Sequence, residues 1–275
     1  MFIAEEKESR ERVYIDEVLE NKESLEKKYV CPICKNDMII KNGKIVTPHF
    51  AHKSRKKCDT FSQDMSEWHK DWQNVFPKEN QEYVLRLNLT TEQYLWAAEE
   101  NGFLENIPDE YYSMDDNDPI EIVHRADVCI SGYVIEFQHS PISCEEFNER
   151  NWFYRSCEKK VIWIFDFTEK TMFAYKRNCY LKKWKWNYAS KTFIDFLPQY
   201  YKKRKDEYTD KWKDSSILLF FQTEREWDEE DKIIDLVTWA IEDDYGDADF
   251  RRFTTSLKHN YSKKEFRRAV LQRKL

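Results

Sequence analysis

Apolar and polar residues alternate over several short stretches of the chain, and this two-residue period predicts β-strands. Residues 80–89 alternate in this way. Residues 122–130 and 133–138 do so on either side of Ser131-Gly132, which predicts two strands joined by a tight turn. Residues 161–165 form a continuous apolar run, which is typical of a buried strand.

Two other stretches follow the period of an α-helix. The spacing of Trp68 and Trp72 predicts a helix over residues 65–76, which Pro77 ends. Residues 145–157 suit a second helix. The central region is therefore predicted to run in the order β-hairpin, helix, strand.

The ends of the chain carry weaker patterns. Near the N-terminus, short apolar pairs and an Asn42-Gly43 turn predict a small β-hairpin unit, and residues 109–119 predict an acidic loop. Beyond the centre, residues 215–221 predict a strand and a helical tail is predicted from about Lys232. The chain is thus expected to be an α+β or α/β protein with an N-terminal module, a core and a C-terminal extension, over residues 1–64, 65–175 and 176–275.

Composition narrows the class of protein. Hydrophobic residues make up 41% of the 275 residues and glycines number only 4, which favours a packed globular chain over a disordered one. No apolar stretch reaches the length of a membrane span, and the N-terminal segment is too charged for a secretory signal. We expect a soluble, cytoplasmic protein.

A net charge of −7 opposes nucleic-acid binding through bulk charge, because Lys and Arg must neutralise phosphates. A nucleic-acid site must therefore be local. Basic clusters at 53–57, 202–205 and 263–274 are candidates, although such clusters are also typical of solvated surfaces.

Five potential zinc ligands lie within a short N-terminal stretch. Cys31-Pro-Ile-Cys34 puts two thiols on one turn, and a second pair of ligands can come from Cys58 and either His52 or His49. We predict a closed structural zinc site formed by Cys31, Cys34, His52 and Cys58, with His49 as the alternative to His52. Reduced cysteines without a metal are the competing interpretation.

Two acids should face each other across the central hairpin. If Ser131 and Gly132 form a two-residue turn, Asp127 lies directly opposite Glu136, and alternation puts Gln138 on the same face as Glu136. Facing carboxylates repel each other unless a cation lies between them, and Mg²⁺ prefers such oxygens. The pair therefore predicts half of a metal site, although two acids that merely face water would show the same pattern.

Taken in order, several motifs resemble the CoiA-like competence proteins over about residues 1–167. These motifs are CPIC, PHFAH, SEWH, RADV, VIEFQHSPIS, NERNWFY and VIWIFD. The resemblance implies a PD-(D/E)xK restriction-endonuclease-like core, a role in DNA processing, uptake or recombination, and a bound Mg²⁺ or Mn²⁺.

By position, the resemblance makes Asp127 and Glu136 the metal-binding acids and puts Gln138 where the superfamily usually has Lys. A Gln offers only a neutral hydrogen bond where Lys would supply positive charge. His69 is a candidate general base or phosphate contact, or else an interface histidine. Arg125 and Arg150 are candidate DNA or phosphate contacts.

Three functions follow from these residues. The leading one is a Mg²⁺-dependent deoxyribonuclease whose zinc module helps to grip DNA. The second is a non-catalytic DNA-binding adaptor with a degenerate core. The third is a structural partner of recombination or DNA-processing proteins, suggested by the aromatic-rich C-terminal third.

Overall fold

A computed structural model describes the chain in ten ranges, and everything below refers to those residues. The ranges are 1–43, 47–54, 58, 66–139, 142–166, 217–222, 233–235, 240–243, 251–254 and 260–275. The architecture is mixed α+β, with antiparallel and mixed sheets. The aromatic-rich stretch at 181–186 and the basic cluster at 202–205 lie outside the described residues.

The smaller sheet contains five antiparallel strands in the order β2-β1-β3-β4-β5. Two short helices follow β2 in the chain. The strands are β1 (Ile3–Glu6), β2 (Arg12–Tyr14), β3 (Tyr29–Val30), β4 (Asp37–Lys41) and β5 (His49–His52), and the helices are α1 (Ile15–Glu20) and α2 (Lys22–Glu26). The predicted hairpin is present as the β4–β5 pair.

The smaller sheet packs around its own apolar core, where large side chains such as Phe2, Tyr29 and Phe50 are buried. Each fully buried side chain of this kind stabilises the fold by about 1.5–3 kcal/mol. Cys31 belongs to this core, and Cys34 and Cys58 pack against it. The core therefore fixes the backbone that carries the cysteines.

The larger sheet contains seven strands in the order β14-β11-β10-β9-β8-β7-β6. Parallel pairing joins β8 to β9 and β9 to β10, whereas β10–β11 and β11–β14 are antiparallel. Strands β12 (Ala240–Asp243) and β13 (Arg251–Thr254) form a separate antiparallel pair. The sheet strands are β6 (Gln81–Thr90), β7 (Pro119–Ile130), β8 (Tyr133–Gln138), β9 (Lys160–Asp166), β10 (Ile217–Gln222), β11 (Ile233–Asp235) and β14 (Asn260–Ser262).

The predicted order of hairpin, helix and strand is confirmed. Helix α5 (Cys144–Ser156) connects β8 to the parallel strand β9, as parallel pairing requires a crossover. Ser143 caps α5 by accepting a hydrogen bond from the Glu146 N–H. All six residues of β8 are buried, which is typical of a central strand covered on both faces.

Two further helices lie before the hairpin, and one of them is the predicted Trp68 helix. It is α3 (Glu67–Gln73), shorter than expected, and Ser66 caps it. Helix α4 (Thr91–Asn101) follows β6 and begins with a capping box between Thr90 and Gln93. Short 3₁₀ turns follow at Leu104–Asn106 and Asp109–Ser113, and the second of them begins the predicted acidic loop.

The predicted helical tail from Lys232 is wrong for most of its described length. Ile233–Asp235 forms β11, which pairs with β10 and β14, and only α6 (Lys263–Leu271) is helical. Sheet pairing with distant strands overrides local helix preference here. The predicted strand at 215–221 is confirmed as β10.

The chain forms two compact units, one of Met1–Asn88 with Glu121–Cys129 and one of Leu89–Ile120 with Ile130–Leu275. The predicted boundaries at residues 64 and 175 stay predictions. Among the described residues, every helix is too short or too polar to cross a membrane.

A buried carboxyl joins α4, the first 3₁₀ turn and α5. Glu149 accepts hydrogen bonds from the Tyr94 hydroxyl at 2.6 Å and from Asn106 Nδ2 at 3.1 Å. Burial raises the pKa of Glu149 and outweighs the opposing effect of these two hydrogen bonds. The fold therefore favours the protonated carboxyl.

We expect Glu149→Gln to flatten the pH dependence of stability. Because the folded pKa is raised, the contribution of Glu149 is fully present below its unfolded pKa and is lost as pH rises through the folded pKa. The difference in melting temperature between the variant and wild type should therefore shift in favour of the variant as the pH rises from 4 to 8. Thermal unfolding at several pH values measures this. The exposed Glu105→Gln is the control and should run parallel to wild type; a Glu149→Gln curve that also runs parallel contradicts the prediction.

Candidate metal centre and carboxylate site

The Cys31–Cys34 turn is held by backbone hydrogen bonds before any metal is considered. The Cys31 N–H donates to Asn36 O at 2.9 Å, and the Lys35 N–H donates to Cys31 O at 3.0 Å. Lys35 adopts a positive φ of 58°, which closes the turn. The Ile33 N–H and Asn36 Nδ2 point at the sulfurs of Cys31 and Cys34, at 3.4 and 3.2 Å. The two sulfurs are thus oriented by donors that favour thiolates.

His52 and Cys58 complete a compact group of four. His52 lies on β5 opposite Met38, and its Nε2 is 3.3 Å from the sulfurs of both Cys34 and Cys58. The sulfurs of Cys31 and Cys58 are 3.5 Å apart, and all four ligand atoms lie within 4.8 Å of one another. His49 is outside this group, and its Nδ1 lies 2.8 Å from Thr47 O.

This donor set fits zinc. Ligands about 2.3 Å from a tetrahedral ion are separated from one another by about 3.8 Å, close to the spacings found here. Hydrogen bonding from Cys58 lowers the pKa of Cys31 to about 5, whereas the pKa of Cys58 is raised beside the Cys31 sulfur. One thiolate is therefore already favoured without the metal, and the group is compatible with structural zinc.

Helix α3 brings two buried polar side chains onto one face. His69 and Gln73 are four residues apart, and each is nearly fully buried. Ser66 Oγ lies 3.0 Å from His69 Nδ1 and also accepts the His69 N–H. Gln81 donates to the carbonyls of Gln73 and Phe76, both at 2.9 Å, and so fixes the C-terminal end of α3.

Gln73 is the residue of α3 that reaches the first predicted acid. Its Nε2 donates to Asp127 Oδ1 at 3.3 Å, and its own Oε1 is buried with no hydrogen bond in the described structure. A buried amide oxygen without a partner costs about 1–3 kcal/mol, so its position calls for an explanation. Asp127 itself is only partly buried.

Arg125 precedes Asp127 by two residues and shares its face of β7. Its Nε lies 3.8 Å from Glu82 Oε2, and Glu82 also accepts the backbone N–H groups of Phe2 and Ile3. Glu82 has a positive φ of 42°, which is strained for a non-glycine residue in a strand. A positive side chain is thus held beside Asp127.

The turn between β7 and β8 has the predicted form. Ser131 and Gly132 have φ values of 54° and 86°, and two positive φ values in succession define the type I′ turn that suits a two-residue hairpin. Gly132 tolerates this conformation without strain.

The second predicted acid is buried and hydrogen-bonded to two residues of α5. Glu136 accepts hydrogen bonds from Arg150 Nη1 at 3.0 Å and from the Tyr154 hydroxyl at 2.7 Å. Arg150 also donates from Nη2 to Glu146 Oε1 at 2.7 Å. Arg150 is therefore engaged by acids within its own unit. Gln138 is buried as well, two residues further along β8.

Comparison with known families gives two matches along the chain. The model for the competence protein CoiA N-terminal domain matches residues 14–61, and that for the CoiA nuclease-like domain matches residues 119–213. The chain belongs to the CoiA-like competence protein family. Searches of curated proteins and of solved structures gave no match. The second match indicates a nuclease-related role in competence for this CoiA-like chain.

The structure of the CoiA-like chain treats the two sets of predicted metal ligands differently. The four predicted zinc ligands come together. Asp127 on β7 accepts a hydrogen bond from Gln73, and Glu136 on β8 accepts one from Arg150. Sequence analysis missed Gln73 and Tyr154. The position of Gln73 four residues after His69 could have indicated it, but nothing in the sequence pairs Tyr154 with Glu136.

The zinc site predicts different outcomes for two histidines three residues apart. His52→Ala should reduce bound zinc well below one ion per chain and lower the melting temperature, because one of the four ligands is lost. His49→Ala is the matched control and should retain the metal. Metal analysis of both purified variants measures this; equal zinc content in the two would contradict the assignment of His52.

Proposed function

We propose that this chain is a metal-dependent DNA nuclease with a PD-(D/E)xK-like core. The observation that carries the proposal is the type I′ turn between two acid-bearing strands within the nuclease-like match. Strands joined by a two-residue turn of this type pair residue by residue, and on this basis we propose that the carboxylates of Asp127 and Glu136 serve one divalent ion.

The ligand chemistry suits Mg²⁺ or Mn²⁺. Among the described residues, the Cys31 group is the one cluster of three or more ligating residues, so the proposed site is built on the two carboxylates of Asp127 and Glu136. Mg²⁺ commonly binds through one or two carboxylates and keeps several waters. Gln138, on the same face as Glu136, is the proposed third protein group. A bound ion of this kind would polarise the phosphate and lower the pKa of its water.

Glu136 is oriented by hydrogen bonds to both of its carboxylate oxygens. Arg150 donates to one oxygen and the Tyr154 hydroxyl donates to the other. Carboxylates that ligate metals are usually oriented by such partners. The proposed role of Arg150 is therefore to orient Glu136 and to compensate its buried charge.

The remaining polar groups have distinct roles in this proposal. His69 is the candidate base or phosphate contact, since histidine is the side chain that most often transfers protons near neutral pH. Arg125 is the candidate phosphate contact beside Asp127. The zinc module stabilises the N-terminal sheet and helps to grip DNA.

Asp127→Asn and Glu136→Gln should each reduce cleavage about a hundredfold or more, because the metal's effect is worth several kcal/mol. Cleavage of linear and circular DNA with Mg²⁺, Mn²⁺ or EDTA measures this, and DNA binding by both variants should persist. Glu121→Gln is the control, since Glu121 lies on β7 with Asp127 but is exposed and pairs with Arg86. Cleavage that survives EDTA, or equal activity in all variants, would refute the metal mechanism.

Gln73→Met should raise the Mg²⁺ concentration for half-maximal cleavage by about tenfold, as loss of an outer-shell partner typically does. Met has similar length but cannot donate to Asp127 Oδ1. Gln73→Glu should shift the same Mg²⁺ titration in the opposite direction, because it adds a carboxylate. A fall in the maximal rate at saturating Mg²⁺, with an unchanged metal requirement, would show that Gln73 does not position Asp127.

A non-catalytic DNA-binding adaptor is the second candidate. The observation that favours it is the engagement of both Glu136 oxygens by Arg150 and Tyr154, together with Gln138 in place of the usual Lys. An adaptor would bind DNA without metal-dependent cleavage in any variant.

A further inference from the structure

The segment that contains α4 carries acidic residues and no basic ones. Residues 87–124 hold 10 Asp and Glu and no Lys or Arg. The rest of the chain therefore has 45 basic and 42 acidic residues, a net charge of +3, against −7 for the whole. The segment thus contributes −10 to the charge of the chain and contains no basic residue that could offset it locally.

Helix α4 exposes a tryptophan in the middle of this charge. Tyr94, Ala97 and Ala98 are buried on the inner face of α4. Trp96 points away from that face and is 65% exposed. Glu92, Glu99 and Glu100 lie four residues before and three and four residues after Trp96, so helical geometry makes them its surface neighbours. These four residues are named the Trp96 face.

Two of the three acids of this face form no ion pair with a Lys or Arg that the structure describes. Glu92 and Glu99 are exposed, and neither forms an ion pair among the residues that the structure describes. The second 3₁₀ turn packs on α4 through Tyr111 and Tyr94 and adds exposed Tyr112 beside acidic Asp109 and Glu110. Exposed aromatic area and uncompensated negative charge therefore occur together.

We infer that the Trp96 face docks a basic amphipathic segment of a partner protein. Charge selects this class of partner, because DNA phosphates and anionic lipid headgroups would be repelled by the same carboxylates. A Lys or Arg above an indole ring gains about 0.5–2 kcal/mol, and Trp is enriched among residues that dominate interface energies. The inference does not depend on the proposed nuclease activity.

The test uses the full chain and fluorescein-labelled basic peptides with leucines at helical spacing. Fluorescence anisotropy should show binding to the amphipathic peptides, weaker binding to scrambled peptides of equal charge, and none to acidic versions. Trp96→Ala should weaken binding about tenfold or more, as loss of a central Trp does. Glu92→Gln combined with Glu99→Gln should weaken binding and reduce its salt dependence.

Tyr83→Ala is the matched control, because Tyr83 is also an exposed aromatic residue, at 42%, but lies on β6 outside this segment. Its peptide affinity should equal that of wild type, and equal melting temperatures would show that all variants fold. The inference is overturned if no amphipathic peptide binds, if scrambled peptides bind as well, or if Trp96→Ala has no effect. It is also overturned if duplex DNA or anionic vesicles lose affinity in Trp96→Ala while peptides do not.

Discussion

A buried ion pair between Glu136 and Arg150 underlies the organisation of the second unit. The carboxylate lies on a strand with no exposed residue, and an unpaired charge there would cost several kcal/mol. Arg150 and Tyr154, one turn apart on α5, both reach Glu136, so the pair also fixes how α5 lies against β8. Glu146 completes the compensation by binding the same guanidinium.

This pair bears directly on the choice between a nuclease and an adaptor. Arg150 balances the charge of the Glu136 carboxylate, so this carboxylate is stable without a bound metal. A degenerate, non-catalytic core would need that stability. The same hydrogen bonds would orient the carboxylate for a metal. The contact between Gln73 and Asp127 is compatible with the proposed nuclease, because carboxylates that bind metals are commonly oriented by a hydrogen-bond donor of this kind.

The Cys31 group and the carboxylates differ in the kind of metal chemistry they suit. Three thiols and an imidazole leave no open position on a tetrahedral ion, so this group suits a structural role. The carboxylates, with an amide nearby in sequence, suit an ion that retains water. Residues 87–124 contribute −10 to the charge of the chain, so the net charge of the whole chain says little about a local DNA site.

Local patterns in the sequence determined the central hairpin, α5, β9 and the Cys31 turn, because alternation, helical period and turn residues act over a few neighbouring residues. They also indicated which residue types could bind zinc. Tertiary structure alone decided that His52 rather than His49 joins the cysteines, that Arg150 and Tyr154 hold Glu136, and that Gln73 reaches Asp127. It also made Ile233–Asp235 a strand. These outcomes depend on contacts between residues far apart in the chain, where packing and hydrogen bonding outweigh local preference.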